Sequence, residues 1–363
     1  MRKIRVLIVD DSVVIRRLLT EILAHDPEIE VVGTAANGRI ALAKLPQVNP
    51  DLVTLDVEMP ELDGLATLPL LRKDYPRLPV IMFSTLSERG AVATFDALAR
   101  GANDYVAKPA NVGSVAAGME SVRVELIPKI KSLCPFNASA VRPPSVRTIH
   151  KIAPPQSMRQ MQRCDAVVIG SSTGGPQALR AVIKKLPADF PVPIVIVQHM
   201  PAVFTRHLAN RLHQDCALEV VEAKNGDALR AGTVLIAPGD FHLEIVRQGV
   251  AVRTMMNQGP KENSCRPAVD VMFRSAAKVY GPGCQAVVLT GMGQDGKHGA
   301  ESIIQAGGTV MAQDETSCVV WGMPRAVTEA GLASQVVPLD CVPGELLRRV
   351  AIGRRTASFC ESH

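Results

Sequence analysis

The sequence predicts an α/β protein made of two domains, each with a parallel sheet covered by helices on both faces. Its 363 residues exceed the roughly 150 residues typical of one domain. Short β-branched runs alternate with amphipathic stretches on both sides of a single Pro-rich segment. Because parallel strands need long crossover connections, this alternation favours βαβ units over hairpins.

The first domain is predicted over residues 1–123. Its strands are expected in five short apolar segments with helical patterns between them. These segments are "IRVLIVD", "IEVVGTA", "DLVTLDV", "PVIMFS" and "NDYVAK". Five βα units predict a five-stranded parallel (βα)5 sheet that is buried on both faces.

The Pro-rich segment is predicted to be a linker over residues 124–163, and it contains six prolines. Between Leu126 and Arg163 there are seven Lys or Arg and no Asp or Glu, whereas the whole chain has a net charge of +5. The basic charge therefore lies in the tether and not on a folded face for nucleic acid. We interpret the segment as an extended, solvated linker, and a docking strip for acidic partners is the alternative.

The second domain is predicted over residues 164–352, where the alternation resumes. Its parallel strands are expected in "DAVVIG", "VPIVIVQ", "LEVVEA", "TVLIAP", "AVVLTG", "TVMAQD" and "SQVVPL". Two alternating segments around "RQG" predict an antiparallel hairpin inserted into this doubly wound pattern. Residues 353–363 are expected to form a disordered tail.

Composition narrows the class of protein further. No uninterrupted apolar stretch is long enough to cross a bilayer, and "MRKIRVLIVDDS" lacks the features of a signal peptide. We therefore expect a cytoplasmic protein without membrane insertion. The eight cysteines have irregular spacings without a Cys-x-x-Cys pair, so neither a zinc ribbon nor a disulfide framework is indicated, and most are expected in the core.

Polar residues of the first domain fall where its predicted strands end, which is where open α/β sheets place their chemistry. Asp10 and Asp11 end the first strand, and Asp56 ends the third. Three converging carboxylates would repel one another unless a cation joined them, and their oxygens suit Mg²⁺. The groups placed to hold a phosphoryl group lie after the fourth and fifth strands: Ser84, Thr85 and Lys108.

With the motifs "VDDS", "LDVEMPELDG", "FST" and "YVAKP", the first domain resembles the receiver domain of two-component response regulators, which has a flavodoxin-like fold. The resemblance implies that Asp56 accepts a phosphoryl group from the phosphohistidine of a chemotaxis histidine kinase. It also implies that Mg²⁺ is held by Asp10, Asp11, Asp56 and the backbone carbonyl of Glu58.

The same resemblance assigns the residues around the phosphate. It implies that Lys108 and the Ser84 hydroxyl contact the phosphate, with Thr85 the less favoured hydroxyl. Tyr105 would be the aromatic residue that changes orientation on activation. An ordinary half-buried strand residue is the alternative for Tyr105.

A Gly-rich turn follows the first strand of the second domain, in "VVIGSSTGGPQAL". It lacks both G-x-G-x-x-G and G-x-x-x-x-G-K-[ST], so the nucleotide-binding motifs do not fit. Residues 170–174 instead match G-x-S-x-G with Ser172 at the centre. Such an elbow exposes the central hydroxyl at a sharp strand-to-helix turn. Ser171 is interpreted as a small residue that lets the turn close, and a purely structural turn remains the alternative.

A serine nucleophile needs a base, and the base needs an orienting acid. His199 directly follows "VPIVIVQ", and Asp295 lies in "MGQDGKHG" after the strand "AVVLTG". Three loops after three strands thus place Ser172, His199 and Asp295 at one sheet edge. His298 is a competing base in the same loop, and His242 on the hairpin is expected to be a solvated strand residue.

The order Ser, His, Asp differs from the Ser, acid, His order of the α/β-hydrolases. With "IGSSTGGP", "QHMP", "APG", "LTGMGQDG" and "WGMPRAV", the second domain resembles the catalytic domain of the chemotaxis protein-glutamate methylesterases. It departs from their common "GASTGG" by having Ser171 in place of alanine.

This resemblance implies hydrolysis of glutamate methyl esters on chemoreceptors, with deamidation of glutamines as a second activity and no cofactor for either. Backbone N–H groups of Thr173 and Met292 would be the oxyanion donors. The unphosphorylated receiver would block the site, and phosphorylation would weaken that block. The expected partners are methylated chemoreceptor cytoplasmic domains and a histidine kinase, with no nucleic acid, and the chain is expected to be a monomer.

Two other classes of function remain open from the sequence. One is a response regulator whose second domain binds a partner or nucleic acid without catalysis. The other is a serine hydrolase or amidase that acts on a different substrate.

Overall fold

The computed structural model describes residues 2–108, 115–134 and 163–354. In its first domain, the strands are β1 (Ile4–Val9), β2 (Ile29–Ala35), β3 (Leu52–Asp56), β4 (Val80–Ser84) and β5 (Asp104–Ala107). The helices are α1 (Val13–Ala24), α2 (Gly38–Val48), α3 (Gly64–Asp74), α4 (Glu88–Ala99) and α5 (Val115–Leu133). The strands pair in parallel in the order β2-β1-β3-β4-β5, so the predicted (βα)5 sheet is confirmed.

Four helices of this domain begin at polar caps whose side chains accept a backbone N–H from the first turn: Ser12, Asn37, Asp63 and Ser87. Such caps satisfy donors that have no partner inside the helix. Three of the caps follow the end of a strand by two or three residues, and Asp63 follows β3 by seven. The loops that carry the acidic side chains therefore end at capped helices.

Helix α5 continues beyond the predicted end of the first domain at residue 123. Leu126 and Ile130 are fully buried in the hydrophobic cluster on one face of the sheet, so the apolar face of the helix extends for two more turns. Pro128 lies inside the helix and does not end it. The linker predicted from residue 124 therefore begins within a packed helix, and residues 135–162 lie outside the described residues.

The second domain contains a sheet of seven parallel strands in the order β14-β13-β12-β6-β7-β9-β8. They are β6 (Ala166–Ser171), β7 (Ile194–Gln198), β8 (Glu219–Glu222), β9 (Thr233–Ile236), β12 (Cys284–Val288), β13 (Thr309–Gln313) and β14 (Gln335–Val337). Strands β10 (His242–Gln248) and β11 (Ala251–Asn257) form the antiparallel hairpin. The helices are α6 (Gly175–Ile183), α7 (Ala202–Asp215), α8 (Val269–Tyr280), α9 (Lys297–Gln305), α10 (Met323–Glu329) and α11 (Val342–Ala351). The doubly wound prediction with its inserted hairpin is confirmed.

His242 on the hairpin is buried, with 2% of its surface exposed, so its prediction as a solvated residue is wrong. Its Nε2 lies 2.9 Å from the Pro260 carbonyl, and its Nδ1 accepts from the Ala268 N–H at 3.2 Å. The loop that leads into α8 folds over the start of β10, and alternation within the hairpin does not reveal that cover.

The C-terminal end of the second domain is held in place by hydrogen bonds of Arg354. Arg354 donates to the carbonyls of Cys164 and Val350, so the predicted tail is anchored at its start, and residues 355–363 lie outside the described residues. The seven cysteines in the described ranges are free thiols, three of them buried. No helix among these ranges combines the length and apolarity needed to cross a membrane.

The two domains share one continuous hydrophobic cluster. Phe204 on α7 is fully buried, and its ring stacks on that of Tyr105 with centroids 4.6 Å apart and planes 9° apart. The ring of Phe95 on α4 also contacts the Phe204 ring, with centroids 6.3 Å apart. Tyr105 is only 4% exposed because a residue of the other domain covers it, so it is not the half-buried strand residue that the sequence left open.

Candidate active site and phosphorylation site

The acidic residues of the first domain do converge. Ligand oxygens of Asp10, Asp11 and Asp56 all lie within 4.8 Å of one another. Asp10 and Asp56 are buried, whereas Asp11 is exposed. Lys108 Nζ lies 2.9 Å from Asp10 Oδ2 and 2.7 Å from Asp56 Oδ2. One ammonium group leaves a net negative charge here, and the oxygen donor set suits a hard divalent cation.

The pKa of Asp56 reflects this crowding. Burial raises the pKa of Asp56 to about 6; its hydrogen bond with Lys108 opposes the rise, and the Asp10 charge adds to it. A cation bound nearby would lower the pKa of Asp56 again, because it favours the ionised carboxylate, which is the form that acts as a nucleophile.

A cavity of about 180 Å³ opens beside Asp56, and Glu58, Ser84, Thr85 and Lys108 are among its lining residues. The Ser84 hydroxyl is buried and donates to the Gly90 carbonyl at 3.1 Å. Thr85 is exposed, with its hydroxyl 3.1 Å from that of Ser87. Within this cavity, the Lys108 ammonium and the Ser84 and Thr85 hydroxyls are the groups that can contact an anion such as a phosphoryl group.

The serine elbow in the second domain has the strand-to-helix geometry that the sequence predicts. β6 ends at Ser171, and α6 begins at Gly175 after Gly174, which has φ = +75°. Gly291 lies against the elbow so closely that a Cβ there would be 2.9 Å from Ser172 Cβ. The Ser172 N–H donates to the Thr290 carbonyl at 3.1 Å. The loop after β12 is therefore packed directly on Ser172.

His199 follows β7 and faces Asp295, as the sequence predicts. His199 Nε2 lies 2.7 Å from Asp295 Oδ2, so Nε2 carries a proton that it donates to the carboxylate, and Nδ1 is the ring nitrogen left to accept a proton. The competing base His298 is 60% exposed on α9 and pairs with Glu301 at 3.3 Å. The structure therefore favours His199 over His298.

Asp295 is fixed by the start of helix α8. Its carboxylate accepts the backbone N–H groups of Val269 at 2.6 Å, Asp270 at 3.0 Å and Gly296 at 2.9 Å. Burial opposes ionisation, but the hydrogen bond with His199 and the backbone donors Val269 and Asp270 lower the pKa of Asp295 below its ordinary value. The helix N-terminus also favours a negative charge there.

The pKa of His199 shifts in the opposite direction to that of Asp295. Burial disfavours the charged ring, but the Asp295 carboxylate and a contact with the Cys265 thiol raise the pKa of His199 above its ordinary value. In the described part of the chain the Ser172 hydroxyl makes no hydrogen bond with this ring. Such contacts are often loose before substrate binds.

Several residues at this edge were not predicted from the sequence. Gln198 accepts from the Ser171 hydroxyl at 2.7 Å and donates to the carbonyls of Ser172 and His199 at 2.9 and 3.2 Å. This buried amide ties the ends of β6 and β7 together, so Ser171 is more than a small residue in a turn. Asn263 and Cys265 also reach the site, and the only local signal for them was the Asn-Ser pair in "ENSC".

The first domain lies directly against the serine elbow. The Thr173 hydroxyl donates to Asp104 Oδ2 at 2.8 Å, which joins the residue after Ser172 to strand β5. Gln177 donates to the Ala102 carbonyl at 3.0 Å. Of the predicted oxyanion donors, Thr173 directly follows Ser172 in the elbow, and Met292 follows Gly291 in the loop that packs on Ser172. In the conformation described, the receiver-like domain holds one of those loops.

The fold and the two sites define a class of protein: a receiver-type domain that packs on a hydrolase-type domain with Ser, His and Asp at one sheet edge. The family model of the response regulator receiver domain matches residues 6–119, and that of the CheB methylesterase matches residues 167–346.

The relatives extend the match to nearly the whole chain. A protein-glutamate methylesterase/protein-glutamine glutaminase of Trichodesmium erythraeum is 53% identical over 96% of this chain and 100% of its own length. One of a Nocardioides species is 54% identical over 96% of each chain. The chain belongs to the family of protein-glutamate methylesterases/protein-glutamine glutaminases, and the resemblance found in the sequence is confirmed.

A solved structure, the CheB methylesterase catalytic domain of Thermotoga maritima, is 47% identical with a TM-score of 0.51 and covers 52% of this chain and 99% of that chain. These comparisons support a chemotaxis enzyme with a response-regulator receiver. They give no support to a non-catalytic output domain or to a hydrolase for another class of substrate.

Proposed function

We propose that this chain hydrolyses glutamate methyl esters on chemoreceptors in the cytoplasm, and deamidates receptor glutamines, under the control of its own receiver. The observation that carries the proposal is the His199 to Asp295 hydrogen bond of 2.7 Å beside the Ser172 elbow, in a chain matched over nearly its full length to methylesterases. A methylated chemoreceptor cytoplasmic domain is the proposed substrate, and the protein acts as a monomer without nucleic acid.

The proposed reaction begins with Ser172 Oγ attacking the ester carbonyl carbon. Because Nε2 of His199 is hydrogen-bonded to Asp295, Nδ1 is the atom that takes the serine proton. His199 then gives this proton to the departing methoxide oxygen, and methanol leaves. Water attacks the acyl-serine with the same base, which releases the free glutamate and restores Ser172.

Charge develops on the carbonyl oxygen at both steps. The backbone N–H groups of Thr173 and Met292 are proposed to stabilise it, since Thr173 follows Ser172 in the elbow and Met292 lies in the loop packed on it. One such donor is typically worth about 2.7 to 4 kcal/mol of transition-state stabilisation. A glutamine amide would follow the same path with ammonia as the leaving group, and neither reaction uses a cofactor.

The proposed regulation begins at Asp56, which accepts a phosphoryl group from a chemotaxis histidine kinase. Asp10, Asp11, Asp56 and the Glu58 carbonyl would hold Mg²⁺, whose charge neutralises the incoming phosphate. Lys108 and Ser84 are proposed to contact the bound phosphoryl oxygens. The buried Oδ2 atoms of Asp10 and Asp56, which lie 2.9 and 2.7 Å from Lys108 Nζ, support that arrangement.

The unphosphorylated receiver is proposed to inhibit the esterase site through the domain contact described above. Tyr105 stacks on Phe204, and the neighbouring Asp104 binds the Thr173 hydroxyl. A change in the orientation of Tyr105 would therefore disturb the residue beside Ser172. Phosphorylation at Asp56 is proposed to cause that change and to release the elbow.

The test is release of methanol from a methylated chemoreceptor cytoplasmic fragment by the phosphorylated full-length protein. Wild type should release methanol, and Ser172→Ala should not. Failure of phosphorylated, folded wild type to release methanol would contradict the proposal, as would full activity of Ser172→Ala.

A further inference from the structure

The loop before α8 contains a tight turn that faces the proposed catalytic acid. Glu262 and Cys265 pair across it through N–H to carbonyl bonds of 3.1 and 2.8 Å. Between them, Asn263 and Ser264 have φ values of 49° and 63°. A type I′ turn requires positive φ at both central positions, and asparagine tolerates this better than most residues. The sequence "ENSC" therefore encodes the turn locally.

The Asn263 amide bridges two buried carboxylates. Its Nδ2 lies 3.0 Å from Asp295 Oδ1 and 3.0 Å from Asp270 Oδ2. Both aspartates are at most 2% exposed, whereas Asn263 lies at the surface with its amide directed inward. Ionised carboxylates can only accept, and an amide nitrogen has two hydrogens to donate, so the three groups are chemically matched.

The turn is anchored to the same helix that holds Asp295. Arg274 on α8 pairs with Glu262 at 2.5 Å, and the first N–H groups of α8 donate to the Asp295 carboxylate. The position of the Asn263 amide relative to Asp295 is therefore fixed through one rigid element rather than through a free loop.

We propose that Asn263 is a positioning residue for Asp295, one that keeps Oδ2 directed at His199. This inference rests on the proposed role of Asp295 in the esterase reaction. Oδ1 accepts Asn263 together with the Asp270 and Gly296 N–H groups, which restrains rotation of the carboxylate. Among the three donors to Oδ1, Asn263 is the one that donates from a side chain. Its hydrogen bond also stabilises the negative charge of Asp295, so the carboxylate stabilises the protonated His199 ring less strongly.

The test compares two glycine variants of the turn in the full-length, phosphorylated protein. Asn263→Gly keeps the positive φ without strain and removes only the amide, whereas Ser264→Gly is the matched change at the neighbouring position. Methanol release from a methylated chemoreceptor cytoplasmic fragment gives kcat and kcat/KM across pH. The ionisable groups that face this arrangement stay unchanged in both variants: Asp270, Asp295, His199, Cys265, Glu262, Arg274 and His298.

Asn263→Gly should lower kcat by at least about fivefold, as expected for loss of a hydrogen bond to a charged group. It should also move the acid limb of kcat/KM to higher pH, because Asp295 without this donor holds the proton on His199 more strongly. Ser264→Gly should change neither quantity. A purely structural role of the turn would not move the acid limb.

Wild-type kcat with an unmoved acid limb in Asn263→Gly would overturn the inference, as would equal losses in the two glycine variants. Asn263→Asp keeps the size of the side chain and tolerates the same φ but adds a negative charge, so it should show a larger upward shift. That variant decides the question if Asn263→Gly does not fold. If Ser172→Ala is inactive and Asn263→Gly behaves like wild type, only the positioning role is overturned. If Ser172→Ala is active, the proposed function is overturned, and the positioning role with it.

Discussion

The contacts between the two domains allow the proposed inhibition to be tested by a quantitative perturbation. Replacing Gln177 and Arg211 with alanine removes two links from the second domain to the first. Gln177 Nε2 lies 3.0 Å from the Ala102 carbonyl, and Arg211 Nη1 lies 2.5 Å from Asp96 Oδ1. Both side chains lie on helix surfaces outside the proposed catalytic groups, so the esterase chemistry itself should be intact.

The size of the effect follows from the two contacts. A neutral hydrogen bond contributes about 0.5 to 1.5 kcal/mol net, and a partly exposed ion pair about 0.2 to 1 kcal/mol. Together they stabilise the closed arrangement by about 0.7 to 2.5 kcal/mol. A stabilisation of about 1.4 kcal/mol, within this range, corresponds to about a tenfold change in the ratio of open to closed protein. Basal activity should rise by up to about tenfold in the double variant, whereas the phosphorylated enzyme, already open, should change by less than about twofold.

The assay is methanol release from a methylated chemoreceptor fragment, with and without a small acyl phosphate as phosphodonor. Lys185→Ala serves as the control, because Lys185 pairs with Asp340 of its own domain at 3.2 Å and should leave both activities unchanged. Unchanged basal activity in the folded double variant would refute the inhibition by these contacts. An equal rise with and without phosphodonor would refute it too, because release of a closed state acts only on the unphosphorylated protein.

Three further outcomes follow from the structure. Asp56→Asn should not be phosphorylated by the acyl phosphate, measured as incorporated label, and its esterase activity should stay at the basal level; activation of this variant would show that another residue is the acceptor. The acid limb of kcat/KM should lie above the ordinary histidine value of about 6.5, because activity requires neutral His199, and the carboxylate partner raises its pKa against the effect of burial; a limb below that value contradicts the assignment. Ser171→Ala removes the hydroxyl that donates to the buried Gln198 amide oxygen. The unpaired oxygen should lower the free energy of unfolding by about 1 to 3 kcal/mol and the Tm of the domain by roughly 2 to 10 °C. Calorimetry measures this. Ser302→Ala is the control, because it removes a hydroxyl whose bond to the His298 carbonyl is solvent-exposed. Equal Tm values in the two variants would contradict the role of the buried bond.

The acidic cluster and the serine site were both predictable because each of their residues is encoded close to the end of a strand. Asp56 ends β3, and His199 follows β7 directly, so a correct strand prediction is enough to place them at the sheet edge. The order of parallel strands then brings separate loops together. This is why the sequence pattern selects the triad and the acidic cluster, although it does not select the supporting residues Gln198, Asn263 and Cys265.

The sequence by itself thus determined the two sheets, the inserted hairpin and the identity of the polar residues at the sheet edges, since these depend on patterns within a few residues. The tertiary structure decided the rest. Tyr105 is buried by Phe204, which lies about a hundred residues away in the chain, and His242 is covered by the loop before α8. Asn263 reaches Asp295 only because a turn and a helix fold onto the end of β12. Burial and hydrogen-bond partners of this kind depend on long-range packing, which no local periodicity records.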